Sequence, residues 1–233
     1  AYFGSSAFID FIHSLQLDIS GADISFAAPL SFDAEIKKGD IRVSDMFNLY
    51  KYENMLYVMK LSGKEIKDFL EESYYMWTNQ MKSPEDHLLW LKEKRRAGAE
   101  DRASFQNFSF NFDSAAGIIY TVDVTRPKGE KVTIVSMADG SPFRMDHIYK
   151  VALNSYRGNG GGELLTKGSG IPQEKLKERI IFSTDKDLRF YLMQYIEKKG
   201  TLDPRALNQW KFVPEEWVKP AAERDYEYLF GGK

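Results

Sequence analysis

Residues 158–162 read Gly-Asn-Gly-Gly-Gly, and they follow closely on the β-forming run Tyr149-Lys150-Val151-Ala152-Leu153. Four glycines in five residues forfeit conformational entropy, so a fold that keeps them needs close backbone approach or a left-handed backbone there. The run is not a Walker A loop, because no Gly-Lys-Ser/Thr follows, and its spacing is not that of a dinucleotide fingerprint. Tyr156 stands just before it, at the exit of the strand. An aromatic ring beside stripped backbone suits a flat ligand. A structural turn with a half-exposed tyrosine fits the same residues, and both readings stand at this point.

Around this turn the chain alternates helical and extended patterns. Phe8, Phe11, Ile12 and Leu15 recur at helical spacing and predict a helix over 5–17, with His13 on its polar side. Residues 22–28 read as a strand stopped by Pro29, and a loop follows through Ser31-Phe32-Asp33. Ser44 is the expected cap of a short helix over 45–49. A strand is expected over 56–61, then a helix over 64–77 that buries Ile66, Phe69, Leu70 and Ser73. Pro84 predicts the start of a charged helix carrying His87, Leu88, Leu89 and Leu91. The basic run Lys92-Glu93-Lys94-Arg95-Arg96 reads as a solvated helix end rather than a phosphate site. Strands are expected over 117–124, 132–137 and 149–153. A last helix is expected over 185–199, with Leu188, Tyr191, Leu192 and Tyr195 inward. The tail from Thr201 carries Trp210 and Trp217 but little periodicity. No internal repeat or Ser/Gly linker divides the 233 residues, which favours one mixed α/β or α+β domain.

Composition narrows the chemistry. A net charge of −2 argues against a broad nucleic-acid footprint. The chain has no cysteine, which excludes disulfides, thiol catalysis and thiolate metal sites, and its three histidines make a histidine-rich metal site improbable. No apolar stretch is long enough to span a membrane, about 18 residues. The first residue is Ala1 rather than Met, the expectation for a processed chain or a piece of a longer one. Glu71-Glu72 and Glu215-Glu216 are adjacent, and helical neighbours diverge, so they make no acid–base pair. Asp146 and His147 belong to no nucleophile-elbow sequence. The remaining candidate is Tyr50-Lys51-Tyr52-Glu53-Asn54. Tyr52 offers a ring and Asn54 an amide that both donates and accepts, as purines and pyrimidines require. An ordinary loop in a tyrosine-rich chain is the competing account.

Six segments together carry a resemblance: Gly21-Ala22-Asp23-Ile24-Ser25 with Ala27-Ala28-Pro29; Gly39-Asp40-Ile41 to Asp45; Leu49-Tyr50-Lys51-Tyr52-Glu53-Asn54; Leu61-Ser62-Gly63-Lys64-Glu65-Ile66-Lys67; Asn111-Phe112-Asp113 with Gly117 and Asp123-Val124-Thr125-Arg126-Pro127; and Tyr149-Lys150-Val151-Ala152 into Asn154-Ser155-Tyr156-Arg157-Gly158. Across about residues 5–165 they resemble the C-terminal domain of the 5′-nucleotidases, nearest the 2′,3′-cyclic-nucleotide 2′-phosphodiesterase/3′-nucleotidase branch. The resemblance implies a four-layer-like sandwich of mixed sheets with flanking helices. It implies one specificity domain over 1–233, with 201–233 a less certain tail, and a nucleotide or nucleoside as ligand. It implies a partner, an N-terminal metallophosphatase domain of the same polypeptide that holds two divalent metal ions and the catalytic residues. A periplasmic or cell-surface location follows from the same likeness. Carried over, Tyr52 and Tyr156 are the two aromatics facing across one base, Asn54 and Gly117 lie near the base, and Arg157, of a Tyr-Arg-Gly signature, joins them as a substrate-binding residue. The chain departs from the 5′-nucleotidase pattern at Ala27, Ala28 and Phe32, and Gly162-Glu163 stands where a ribose-holding Asp is expected. A stand-alone binding module with the same fold is the alternative expectation.

Overall fold

A computed structural model describes residues 1–31, 35–92 and 105–231. Phe32, Asp33 and residues 93–96 of the basic run lie outside the described residues. The elements in chain order are α1 (Ala7–Ser20), β1 (Ile24–Ala27), α2 (Val43–Leu49), β2 (Met55–Ser62), α3 (Gly63–Trp77), β3 (Ser114–Ala116), β4 (Ile118–Asp123), β5 (Val132–Met137), β6 (Ile148–Asn154), α4 (Ser155–Gly158), α5 (Leu176–Arg179), β7 (Ile180–Asp187), α6 (Leu188–Lys199), β8 (Trp210–Val213) and α7 (Glu215–Phe230).

The strands form two mixed sheets. One has five strands in the order β3-β1-β6-β2-β7, and the other three in the order β5-β4-β8. In the larger sheet β1 and β6 are parallel, while β2 runs antiparallel to both β6 and β7. Side chains on a strand alternate between faces. Accordingly Ile24, Phe26, Met59, Leu61, Val151 and Leu153 enter one core with α3 and the three-stranded sheet. Ala27, Leu56 and Ala152 face the other way, into a second core with α1, α2 and α6. The layers are therefore helices, five-stranded sheet, α3, three-stranded sheet. The larger core is aromatic at its centre. Tyr74 stacks on Trp77, Trp77 on Phe112, and Trp210 and Phe212 close on them from β8.

The helix ends follow local chemistry. Ser6 accepts a hydrogen bond from the Ile9 N–H at the start of α1, and left-handed Gly21 closes it. Ser62 and Glu65 form a reciprocal capping box at the turn from β2 into α3. α2 starts from Arg42 rather than Ser44, with the Asp45 carboxylate accepting from the Arg42 N–H at 2.7 Å.

Several expectations are corrected. His13 is not solvent-facing. It is fully buried, with Nδ1 2.9 Å from the Ser25 hydroxyl and Nε2 3.1 Å from that of Ser114. The buried stripe of α1 is wider than its apolar residues alone trace, because β1 and β3 bring serines to it. Burial lowers the His13 pKa from 6.5 to about 3, so the ring is neutral.

The helix expected from Pro84 is absent. Asp86 accepts from the Lys82 and Ser83 N–H groups and makes a turn there. Leu88 and Leu89 are then buried in an extended segment whose backbone bonds to Asn79 and Trp77. His87 therefore sits on no helix, and its Nδ1 meets the buried Asp225 carboxylate of α7. Residues 185–187 belong to β7 rather than to α6, and Tyr191 turns its hydroxyl outward to Asp185 at 2.7 Å. The tail is structured too: β8 pairs in parallel with β4, and α7 packs beside it.

Candidate functional site

One end of the five-stranded sheet collects the candidate residues. β1 and β6 run parallel and both finish there, and β2, antiparallel to β6, begins there. Ala27 of β1 pairs with Ser114, so Asp113 lies at the same end. Met55 of β2 pairs with Asp187, so the first turn of α6 does as well. Leu56 pairs with Asn154, and the Met55 N–H donates to the Ser155 hydroxyl at 3.1 Å. The loop carrying Tyr52 and the short helix carrying Tyr156 are thus neighbours by register. Ligands of open α/β sheets bind outside the carboxyl ends of such strands.

Asn154 caps α4, its side chain accepting from the Arg157 N–H at 2.9 Å. Tyr156 points outward and is 43% exposed. Its ring lies over the glycine run. A Cβ at Gly161 would sit 2.5 Å from the ring, and one at Gly162, where φ is +70°, would sit 2.2 Å from Arg157 Nη1 and Asn111 Oδ1. Close approach and left-handed backbone, both anticipated from the sequence, hold here. Phe110 meets the Tyr156 ring edge-on at 6.2 Å, and Phe108 stacks on Phe110 at 5.2 Å.

Arg157 is buried beneath this surface, 1% exposed. Its guanidinium pairs with Asp113 through Nε (3.4 Å) and Nη2 (2.5 Å). Nη1 donates to Asn111 Oδ1 at 3.3 Å and to the Gly161 carbonyl, and Nη2 donates to the Phe110 carbonyl at 2.9 Å. All five N–H groups are used inside the protein, so none is left for a ligand. Burial pushes the Asp113 carboxyl up, and Arg157 opposes the shift. The sequence reading puts Arg157 among the ligand contacts; the structure puts it underneath them.

The loop 50–54 is held differently. Tyr50 is buried and anchors one end; burial pushes its pKa well above the ordinary range, opposed by hydrogen bonds from the side chains of Asn54 and Asn154. At the other end the Leu188 N–H donates to the Asn54 carbonyl at 2.8 Å. Between them Arg189 reaches the Tyr50 and Lys51 carbonyls, each at 3.5 Å, and Glu53 Oε1 at 3.0 Å. The Phe47 ring lies 4.2 Å from the Arg189 guanidinium. Tyr52 is 37% exposed, and Asn54 is half-buried.

Gly117 is not brought to this site. Ser25 pairs with Ala116, so Gly117 lies beyond the start of β1, at the opposite end of that strand from Asp113 and Asn154. A Cβ there would meet the Asp23 carbonyl oxygen at 2.2 Å, and its N–H donates to Gln209 Oε1 at 2.8 Å. Its glycine serves strand packing. A cleft beside Tyr50, lined also by Gln16, Ala27, Ala28, Leu30 and Asn154, has about 10 Å³ of free volume. That is room for about one water molecule, not for a base. Asp146 pairs with Arg144 and His147 lies edge-on to Tyr149, both exposed. Among the described residues no three His, Asp or Glu side chains converge as a metal site, so these residues do not fit a two-metal centre.

Solved structures share this fold. A structure titled as a putative 5′-nucleotidase from Staphylococcus aureus in complex with alpha-ketoglutarate matches 90% of the chain and 37% of its own, with a TM-score of 0.69 at 22% identity. A 5′-nucleotidase precursor from Thermus thermophilus matches with a TM-score of 0.62, covering 88% of this chain and 34% of that one at 21% identity. The fold is thus that of the nucleotidase structures. The model of the 5′-nucleotidase C-terminal domain matches residues 1–167, and the chain belongs to that family. A trifunctional nucleotide phosphoesterase protein of Bacillus subtilis is 29% identical over 225 residues, 87% of this chain and 14% of that protein. A 2′,3′-cyclic-nucleotide 2′-phosphodiesterase/3′-nucleotidase of Salmonella typhimurium is 29% identical over 205 residues, 80% and 28% respectively. The chain spans less than a third of the length of either relative. Among the described residues no helix is long and apolar enough to cross a membrane.

Proposed function

We propose that this domain binds the nucleoside part of a nucleotide for a phosphoesterase, stacking the base between Tyr52 and Tyr156 with the Asn54 amide at the base edge. The observation that carries the reading is the register that brings two partly exposed tyrosines to the same end of the five-stranded sheet. The names of the relatives support a nucleotide as ligand. In this reading hydrolysis belongs to a metallophosphatase domain of the same polypeptide, and this chain, acting as one unit, selects what that domain acts on. A periplasmic or cell-surface location belongs to the same proposal.

Stacking on an aromatic contributes about 1–3 kcal/mol per base. Two such contacts total about 2–6 kcal/mol, and the middle of that span corresponds to a Kd for adenosine of about 0.1–10 mM. Titration followed by NMR tests this. Tyr52→Ala and Tyr156→Ala should each weaken binding about tenfold or more, whereas Tyr→Phe at either position should be nearly silent because the ring does the stacking. If 10 mM adenosine, roughly the weak end of that range, moves no tyrosine signal, the assignment fails.

A further inference from the structure

An arginine holds the segment that carries each tyrosine, and the two grip unequally. Arg157 is 1% exposed, with four N–H groups bonded to residues 110–113 and the fifth to the Gly161 carbonyl. Moving Tyr156 would break a buried ion pair and pull the glycine run off the ring. Arg189 touches its loop through two bonds of 3.5 Å, at the outer limit of hydrogen bonding, and through Glu53, whose side chain is 78% exposed. Those contacts bracket Tyr52 on both sides. The firm attachments of the loop are Tyr50 and the Asn54 carbonyl, so Lys51, Tyr52 and Glu53, all exposed, span the interval between two anchors.

We propose that Arg189 is a positioning residue for Tyr52, holding it as a movable wall against the fixed wall of Tyr156. It touches no ligand. It acts by pre-ordering the 51–53 segment, so the ordering cost is met before the base arrives. The proposal rests on reading Tyr52 and Tyr156 as the two walls.

The test uses the full chain with ¹³C-labelled tyrosine and compares Arg189→Gln and Glu53→Gln with the parent, first without ligand. The Tyr52 ring signals should shift and change width in both variants, more in Arg189→Gln, while those of Tyr156 stay in place. Adenosine should then bind about three- to tenfold more weakly to Arg189→Gln and about twofold more weakly to Glu53→Gln, with Arg189→Lys between Arg189→Gln and the parent. Glu53 is exposed, so its variant decides the matter even if Arg189→Gln does not fold. Tyr52 signals unchanged in the folded variants, or Tyr156 signals moving as far as those of Tyr52, would overturn the proposal. The ligand-free spectra report on positioning alone, so an absence of adenosine binding by the parent would reject the base-binding reading without deciding this one.

Discussion

Tyr156 rests on a guanidinium with all five N–H groups bonded, and its backbone continues into glycines that touch its own ring. Tyr52, at the same end of the same sheet, sits in a loop whose flanking Tyr50 and Lys51 carbonyls accept from Arg189 at 3.5 Å and whose exposed Glu53 pairs with it. The two residues look alike in sequence, each a tyrosine beside polar and small neighbours. What differs is the carboxylate that meets each buried arginine: the Asp113 side chain is 2% exposed and that of Glu53 78%. A buried pair whose donors are all used resists deformation, because opening it strands charge in a low dielectric. The Arg189–Glu53 pair is buried on the arginine side only, and its carboxylate stays in water when the pair opens, so it costs less.

The largest effect follows from that contrast. Asp113→Ala leaves Arg157 buried without its carboxylate and should cost about 3–5 kcal/mol of stability, while Glu53→Ala should cost only about 0–1 kcal/mol. Urea denaturation of both variants measures the ratio, and equal losses would erase the distinction between the two walls. Next is Gly161→Ala, whose Cβ would sit 2.5 Å from the Tyr156 ring. Displacing that ring should cost about 1–3 kcal/mol and weaken adenosine binding, with Tyr52 signals unmoved.

The smallest effect concerns His13, which supports the fixed side through Ser114, next to Asp113. Its folded pKa, about 3, lies below its ordinary 6.5. Between those values the unfolded chain takes up a proton that the native ring refuses, so stability falls as pH falls. The slope from this group approaches about 1.4 kcal/mol per pH unit. Above the upper value both states are neutral and the contribution vanishes. Denaturation at pH 7 and pH 5 should show the loss in the parent and a smaller one in His13→Asn, roughly by that slope times the interval below the upper value. Identical losses in the two proteins would mean that another group carries the acid response.

The pattern of the sequence served well wherever one periodicity dominates. The apolar stripes of α1 and α3 and the β-rich runs of β2, β4, β5 and β6 all appear as structure. It served poorly where long-range partners decide. Leu88 and Leu89 suggest a helical face, yet the backbone of Trp77 and Asn79 takes them as extended chain. β8 has four residues and α7 contains Pro220, so neither announces itself by period. At the site, the glycine run and Tyr156 are legible because glycine marks a steric demand in one letter. The pairing of Arg157 with Asp113 is not, since the partners are 44 residues apart. Arg189 carried no signal either. It lies on α6, and only the fold brings it to residues 50–53.

The placement of Trp210 and Phe212 against Tyr74 and Trp77 bears on where this domain can be cut. The family model matches residues 1–167, but the hydrophobic unit runs on to Leu229. A protein ended at residue 167 would lose α5, β7, α6, β8 and α7. The Tyr52 loop would lose its arginine, and the inner aromatic stack would open to water. A family model marks the stretch that its members share; the length needed to keep a core dry is a separate quantity, and here it is longer than residues 1–167.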